Sequence, residues 1–288
     1  VFGRLAARTF LVILAVSLTG AQANKGGTPT TNGGLTLRSI AFANTDLLSP
    51  AEKAELRKMI EEDYKRTGTD AGAMADVGAE RLRMAYLNKG YFKVVVTSAA
   101  WQVGENAPTH LFDVVLTVVS SGKQYRLLGI RFHGMHLFTE EQLAELIPVR
   151  AGEIFRRSEI AKGIDEIRRH YDSYGYANLT VVPETDVDEA SGTIIVNFDL
   201  DEGRQFHWGE LHVTGLDPGL AQTMLDSWEA VRGRPYVAND LPVFFSAFFH
   251  PLDARIGLDN YSVRHMNEHT GTVDVSIDFV DPSSKDSQ

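Results

Sequence analysis

The chain has 288 residues, of which 43% are hydrophobic and 23% charged, with a formal charge of -10 and no cysteine. That balance fits a globular protein of one to three domains. Its acidity excludes the basic face that nucleic-acid binding needs, and the lack of thiols excludes disulfides, thiolate metal sites, a cysteine nucleophile and a lipidated N-terminal cysteine.

Arg4 and Arg8 precede an apolar run at 10–18, and Ala21-Gln22-Ala23 has the form of an A-x-A cleavage site, so residues 1–23 read as a secretory signal peptide. Thr9, Ser17, Thr19 and Gly20 interrupt the run, which leaves it short of the ~20 apolar residues of a membrane anchor. Residues 24–34, rich in Gly, Thr and Asn, read as a flexible leader.

From there the chain repeats itself. Gly122-Lys123-Gln124-Tyr125 recurs 81 residues later as Gly203-Arg204-Gln205-Phe206. Each string leads into an alternating segment closed by a turn glycine: Leu127, Ile130, Phe132 and Gly134, then Trp208, Leu211, Val213 and Gly215. Leu35, Leu37, Ile40 and Phe42 form an earlier copy, with Asn44 in the place of the glycine, a position that asks for positive φ. Helix-start signals follow in all three copies. Ser49-Pro50-Ala51-Glu52 and Thr139-Glu140-Glu141-Gln142 are capping boxes, and Asp217-Pro218 pairs a cap with an N1 proline.

A second helix carries the stripe Ile160, Ile164, Ile167 and Tyr171, at i, i+4, i+7 and i+11. Its counterparts are Leu241, Phe245, Phe248 and Leu252 after it, and Ala75, Ala79, Leu82 and Tyr86 before it. Each copy then closes in a hairpin: 92–97 with 112–118, 177–183 with 194–200, and 261–263 with 273–279. The unit predicted three times over is β-α-α-β-β, an α+β fold in tandem, with modules at 35–122, 123–203 and 204–282 and a tail at 283–288. The direct passage from each glycine into the next aromatic predicts restricted bending between modules.

The middle copy resembles the POTRA (polypeptide-transport-associated) domain, found in series on the periplasmic side of outer-membrane assembly factors of the BamA and TamA type. The residues that carry the resemblance are Ile130-Arg131-Phe132-His133-Gly134, Phe138-Thr139-Glu140-Glu141, Gly152 to Phe155, Tyr171 to Tyr176, and Asp201-Glu202-Gly203. The first copy keeps Tyr86, Gly90, Tyr91 and Phe92, with about five extra residues between its first strand and second helix, assigned to a surface loop. The third departs more, with Gly257 one place late and Asp281-Pro282 where Glu-Gly would stand. Only Ser283–Gln288 follow, too few for a transmembrane barrel of ~8 strands, so barrel activities are not expected of these residues.

The resemblance implies the strand order one, three, two, which makes strand two an open edge. Such an edge can pair with an extended peptide, the β-augmentation mode. The residues expected on these edges are Phe92, Val94, Val95 and Val96 in the first module, Leu179 and Val181 in the second, and Tyr261 and Val263 in the third. The segment Phe92 to Thr97 is the favoured one, with Lys93 as its gatekeeper against aggregation.

The expected function is therefore non-enzymatic: binding and scaffolding of polypeptides in the periplasm, at the outer membrane of a Gram-negative-type envelope, during outer-membrane protein assembly or secretion. The expected partners are unfolded outer-membrane or secreted polypeptides. A separately encoded outer-membrane barrel, envelope lipoproteins and peripheral contact with the membrane are further expectations, and nucleic acid is not among them. The alternative is a structural subunit that bridges such a barrel to other envelope components without touching clients.

No cofactor or metal is expected. His133 with His136, and His265 with His269, lack a third ligand nearby in sequence. Asp186, Asp188 and Glu189 open like a calcium loop, but Ser191 and Asn197 stand where glycine and glutamate are wanted. No G-x-S-x-G, Walker A or G-x-G-x-x-G string occurs.

Overall fold

The computed structural model describes residues 36–67, 70–103, 111–249 and 259–280. The signal peptide, leader and tail expected from sequence lie outside them, as do Leu35, Leu252, Gly257 and Asp281-Pro282.

In chain order the elements are β1 (Thr36–Ala43), α1 (Pro50–Thr67), α2 (Ala71–Leu87), β2 (Val95–Val103), β3 (Leu111–Ser120), β4 (Arg126–His133), α3 (Glu140–Glu145), α4 (Arg157–Asp172), β5 (Thr180–Asp188), β6 (Thr193–Asp201), β7 (His207–Thr214), α5 (Pro218–Trp228), α6 (Asp240–Phe249), β8 (Asp259–Asn267) and β9 (Thr272–Val280). The strands form three three-stranded sheets with the orders β1-β3-β2, β4-β6-β5 and β7-β9-β8. In the first and third sheets the central strand is parallel to the first strand and antiparallel to the second. This is the α+β, β-α-α-β-β arrangement read from the sequence.

The chain divides into two compact units. One comprises Val1–Arg131, Pro148–Ala161 and Glu184–Asn197, the other Phe132–Ile147, Lys162–Pro183 and Phe198–Gln288. The division passes through the middle module, so each seam between successive modules lies inside one unit.

Local chemistry sets the helix starts. Ser49 N–H donates to Glu52 Oε2 at 2.7 Å while Glu52 N–H donates to Ser49 Oγ at 3.3 Å, and Thr139 and Gln142 exchange the same pair of bonds. Asp217 accepts from Gly219 N–H at 2.9 Å. Asp70 caps α2 by accepting from Ala73 N–H at 2.9 Å. The extra residues of the first module are helical: α1 has 18 residues against 6 in α3, so they prolong a helix where a loop was expected.

The first unit holds a core in which Ile60, Met74, Leu82, Tyr86, Phe112, Val114 and Leu116 are fully buried. Asp63 is buried at its edge and ties the two helices: Arg81 donates to it through Nε at 2.9 Å and Nη2 at 2.7 Å, and Arg66 at 2.7 Å. Burial alone would raise the Asp63 carboxyl; the hydrogen bonds from Arg81 and Arg66 more than offset it and hold it below the ordinary aspartate range. Asp63→Ala removes the bonds that tie α1 to α2, and because both guanidinium groups stay solvent-exposed, thermal denaturation should read a loss of about 1 kcal/mol.

The second unit holds a core of Phe206, Trp208, Met224, Trp228, Val273, Val275 and Ile277. The same unit contains a carboxylate anchor. Glu202 Oε1 accepts from His136 N–H at 2.7 Å, Leu137 N–H at 2.9 Å and the Tyr171 hydroxyl at 2.7 Å. It thereby pins the loop between β4 and α3 to the end of α4. Tyr171 is fully buried, and burial together with Glu202 raises its pKa.

The first-strand exits follow one rule. Asn44 has φ 55, Gly134 φ 76 and Gly215 φ 78, so Asn44 adopts the left-handed turn that its alignment with the two glycines predicts. Its side chain donates to the Val118 carbonyl at 3.3 Å. The two glycines lie against the carbonyls of Leu200 and Phe279.

Candidate functional site

Each sheet has two outer strands, and in the second and third sheets the outer side of the first strand is already engaged. Gly152 N–H donates to the Leu127 carbonyl at 2.7 Å, Leu127 N–H to Glu153 at 2.9 Å and Phe155 N–H to Tyr125 at 3.0 Å. Gly233, Trp208 and Tyr236 repeat the pattern with Trp208, Arg234 and Phe206 at 2.7, 2.9 and 2.8 Å. The segments 152–155 and 233–236 therefore lie along β4 and β7. Both sit 81 residues apart, the period already seen in the seams. In these two sheets the second strand is the other outer strand, and among the described residues no further strand pairs with it.

The residues expected on the edges separate once the strand limits are known. Phe92 and Val94 are not on a strand, because β2 begins at Val95. Val94 N–H donates to the Tyr91 carbonyl at 3.2 Å, a turn that keeps these residues out of the ladder. Val94 is 7% exposed and belongs to the core, while the Phe92 ring packs edge-on to Tyr125 and Phe155 at 6.2 and 5.7 Å. Lys93 lies in the same turn, flanking β2, and pairs with Glu189. Leu179 likewise precedes β5, in a turn closed by its N–H on the Tyr176 carbonyl at 3.3 Å. Val181 is on β5 but buried. Val95 and Val96 are on β2, and Tyr261 and Val263 are on β8, opposite Asp278 and Ser276.

The three second strands differ in charge. β2 reads VVTSAAWQV and carries no ionisable side chain. β5 carries Glu184, Asp186 and Asp188 on its exposed positions, with Pro183 beside them; a row of like charges and a proline both oppose strand addition. β8 has Ser262, Arg264 and Met266 at the register of the core-facing β9 residues Ile277, Val275 and Val273, two of the three being polar.

The three second strands have nine residues each, and β2 alone of them carries no ionisable side chain. Its positions alternate: Val96, Ser98 and Ala100 are half-buried on the helix side, while Val95, Thr97, Ala99 and Trp101 are exposed on the other face. Val95 and Trp101 are 50% and 47% exposed. Beside β2 runs a shallow cleft of about 360 Å³ lined by Asp76, Ala79, Glu80 and Arg83 of α2 and by Val96, Thr97 and Ser98 of β2. Arg83 holds Glu80 through two bonds of 2.7 and 3.0 Å. Asp76 accepts from Ser98 Oγ at 3.2 Å. The sequence reading did not single out this helix wall. It was visible as the stripe at 76, 80 and 83, one residue on from the apolar stripe 75, 79, 82.

The recurring four-residue strings form the seams. Gln124 and Gln205 donate through Nε2 to the carbonyls of Lys89 (2.8 Å) and Tyr174 (2.9 Å). Tyr125 and Phe206 N–H groups donate to the carbonyls of Gly90 and Gly175, both at 2.8 Å, and both rings are buried. The hairpin tips close the same places: Glu189 meets Lys93, and Glu268 accepts from Asn178 at 2.6 Å.

Among the described residues no group of three His, Asp or Glu side chains could hold a metal ion, and no helix is long and apolar enough to cross a membrane.

A family model described as POTRA, surface antigen variable number repeat, matches residues 125–203. The outer membrane protein assembly factor BamA of Buchnera aphidicola is 26% identical over 137 residues, covering 47% of this chain and 22% of the relative. BamA of Neisseria meningitidis serogroup B is 20% identical over 223 residues, covering 71% of this chain and 26% of the relative. The chain therefore spans about a quarter of the length of these curated relatives. The crystal structure of Haemophilus influenzae BamA POTRA3-5 matches with a TM-score of 0.53 at 22% identity, covering 85% of this chain and 95% of that one.

Proposed function

We propose, for a chain that is POTRA at residues 125–203 and repeats that fold on either side, that it binds extended polypeptides outside the inner membrane and so serves outer-membrane protein assembly or secretion without catalysing a reaction. The observation that carries this reading is the uncharged outer strand β2 beside the α2 cleft. An incoming chain pairs its backbone with β2 regardless of most of its sequence, which suits a protein that meets many clients. The assembly-factor relatives support the setting.

The reading is tested by placing a photoreactive amino acid at Thr97 on β2, at Val182 on β5 and at Val263 on β8, and irradiating with an unfolded outer-membrane protein. Thr97 is expected to capture the client several-fold more efficiently than Val182. Equal capture at β2 and β5, or none at β2, overturns the assignment of this edge. A single folded barrel protein captured in stoichiometric amount, with no unfolded client, would favour the bridging role.

A further inference from the structure

Resting on the reading of β2 as the client edge, we infer that the α2–β2 cleft selects extended segments that alternate, with lysine or arginine toward α2 and apolar or aromatic residues on the opposite face.

The argument starts from the period of two in a strand. A strand added to β2 places every second side chain beside Val96, Ser98 and Ala100, under the α2 wall, and the others beside Val95, Thr97, Ala99 and Trp101. On the second face the exposed Val95 and Trp101 offer apolar cross-strand neighbours, which favour apolar or aromatic residues in the client. On the first face the wall carries Asp76, Glu80 and Arg83. Glu80 and Arg83 neutralise each other through their paired bonds, so the net charge of the wall is that of Asp76, which among the described residues accepts from the neutral hydroxyl of Ser98. A basic side chain over Ser98 meets that carboxylate, and an acidic one is repelled by it. Ala79 leaves room between the charged positions for a long side chain to lie along the helix.

Comparison with the other modules separates Asp76 from the common framework. The Glu80–Arg83 pair recurs one module on as Asp165 and Arg168, 3.7 Å apart. Asp76 does not recur: Ala161 and Pro242 hold the equivalent places on α4 and α6. A carboxylate that framework stability required would be repeated, and this one occurs only beside the uncharged edge. A second copy of this chain is a poor occupant, because antiparallel pairing of β2 with itself about Ser98 would bring two Asp76 carboxylates together.

The test uses the full chain with a photoreactive residue at Thr97 and three fluorescent nine-residue peptides. All three have phenylalanine or tyrosine at alternate positions, with lysine, serine or glutamate at the others. Anisotropy at low salt should give the lysine peptide about fivefold to tenfold tighter binding than the glutamate peptide, a gap that closes as salt screens it. Asp76→Lys should invert the order, and Asp76→Asn should bring the peptides together. Asp76 is exposed on the helix surface, and circular dichroism checks that these variants fold. Crosslinking at Thr97 that is equal for the lysine and glutamate peptides, or an order unchanged by Asp76→Lys, overturns the charge selection and leaves β2 as the client edge. No crosslinking at Thr97 with any peptide overturns both.

Discussion

Alanine at Gly134 or at Gly215 is expected to destabilise its module by roughly 3–5 kcal/mol, a large share of a domain's stability. Two costs act together. Both glycines have positive φ, 76° and 78°, where a Cβ is strained. That Cβ would also lie 2.1 Å from the Leu200 carbonyl oxygen or 1.9 Å from that of Phe279, and a backbone oxygen in a central strand cannot move aside as a flexible side chain can. Gly152 provides the comparison. Its φ is 87°, yet a Cβ there meets nothing within 4 Å, so Gly152→Ala should lose only about 1–2 kcal/mol of conformational strain. Urea denaturation of the three variants separates the terms. Equal losses in all three would show that the carbonyl contact contributes nothing.

Glu202→Ala is expected to cost about 3–4 kcal/mol, because it leaves two backbone N–H groups and the buried Tyr171 hydroxyl without their acceptor. The same site makes stability depend on pH. Burial alone would raise the Glu202 carboxyl, but the N–H groups of His136 and Leu137, with the Tyr171 hydroxyl, offset it and leave the pKa below the ordinary glutamate value. A carboxyl depressed on folding contributes stability that is fully present above its unfolded pKa. That stability is lost as pH falls from about 4.5 through the folded value, since the unfolded chain then binds the proton more readily. Denaturation of the wild type should weaken across that window, while Glu202→Gln should start weaker at pH 7 and change less. A Gln variant with the wild-type pH slope would place the titration on another group.

The sequence made the framework legible where one residue decides one conformation. Ser49 with Glu52, and Thr139 with Gln142, announced helix starts through reciprocal bonds that depend only on local spacing. Asn44 announced a left-handed turn because few other side chains accept it. The apolar stripes ending at Tyr86 and Tyr171 identified the buried sides of α2 and α4 because burial imposes the helical period.

What was not legible depended on contacts distant in the chain. Phe92, Val94 and Val96 alternate as a strand does, yet the first two are apolar for other reasons: Phe92 packs on Tyr125 and Phe155, and Val94 enters the core from a turn. Periodicity cannot tell a residue buried by a neighbouring module from one buried by its own sheet. The cleft wall was missed because Asp76, Glu80 and Arg83 read as an ordinary solvated helix side until β2 is placed beside them. The engagement of β4 and β7 by 152–155 and 233–236 was hidden for the same reason, although the 81-residue spacing of Gly152 and Gly233 marked the place.

The two seams are built to one specification: a glutamine amide on a carbonyl, a backbone donor on a glycine carbonyl, and a ring sunk behind them. The coupling is therefore standard while the bodies it joins have diverged. A cut made at either string gives no clean fragment. It strands an acceptor on one side and bares an aromatic on the other, so truncations meant to isolate one body should carry the whole string and the helix end that receives it.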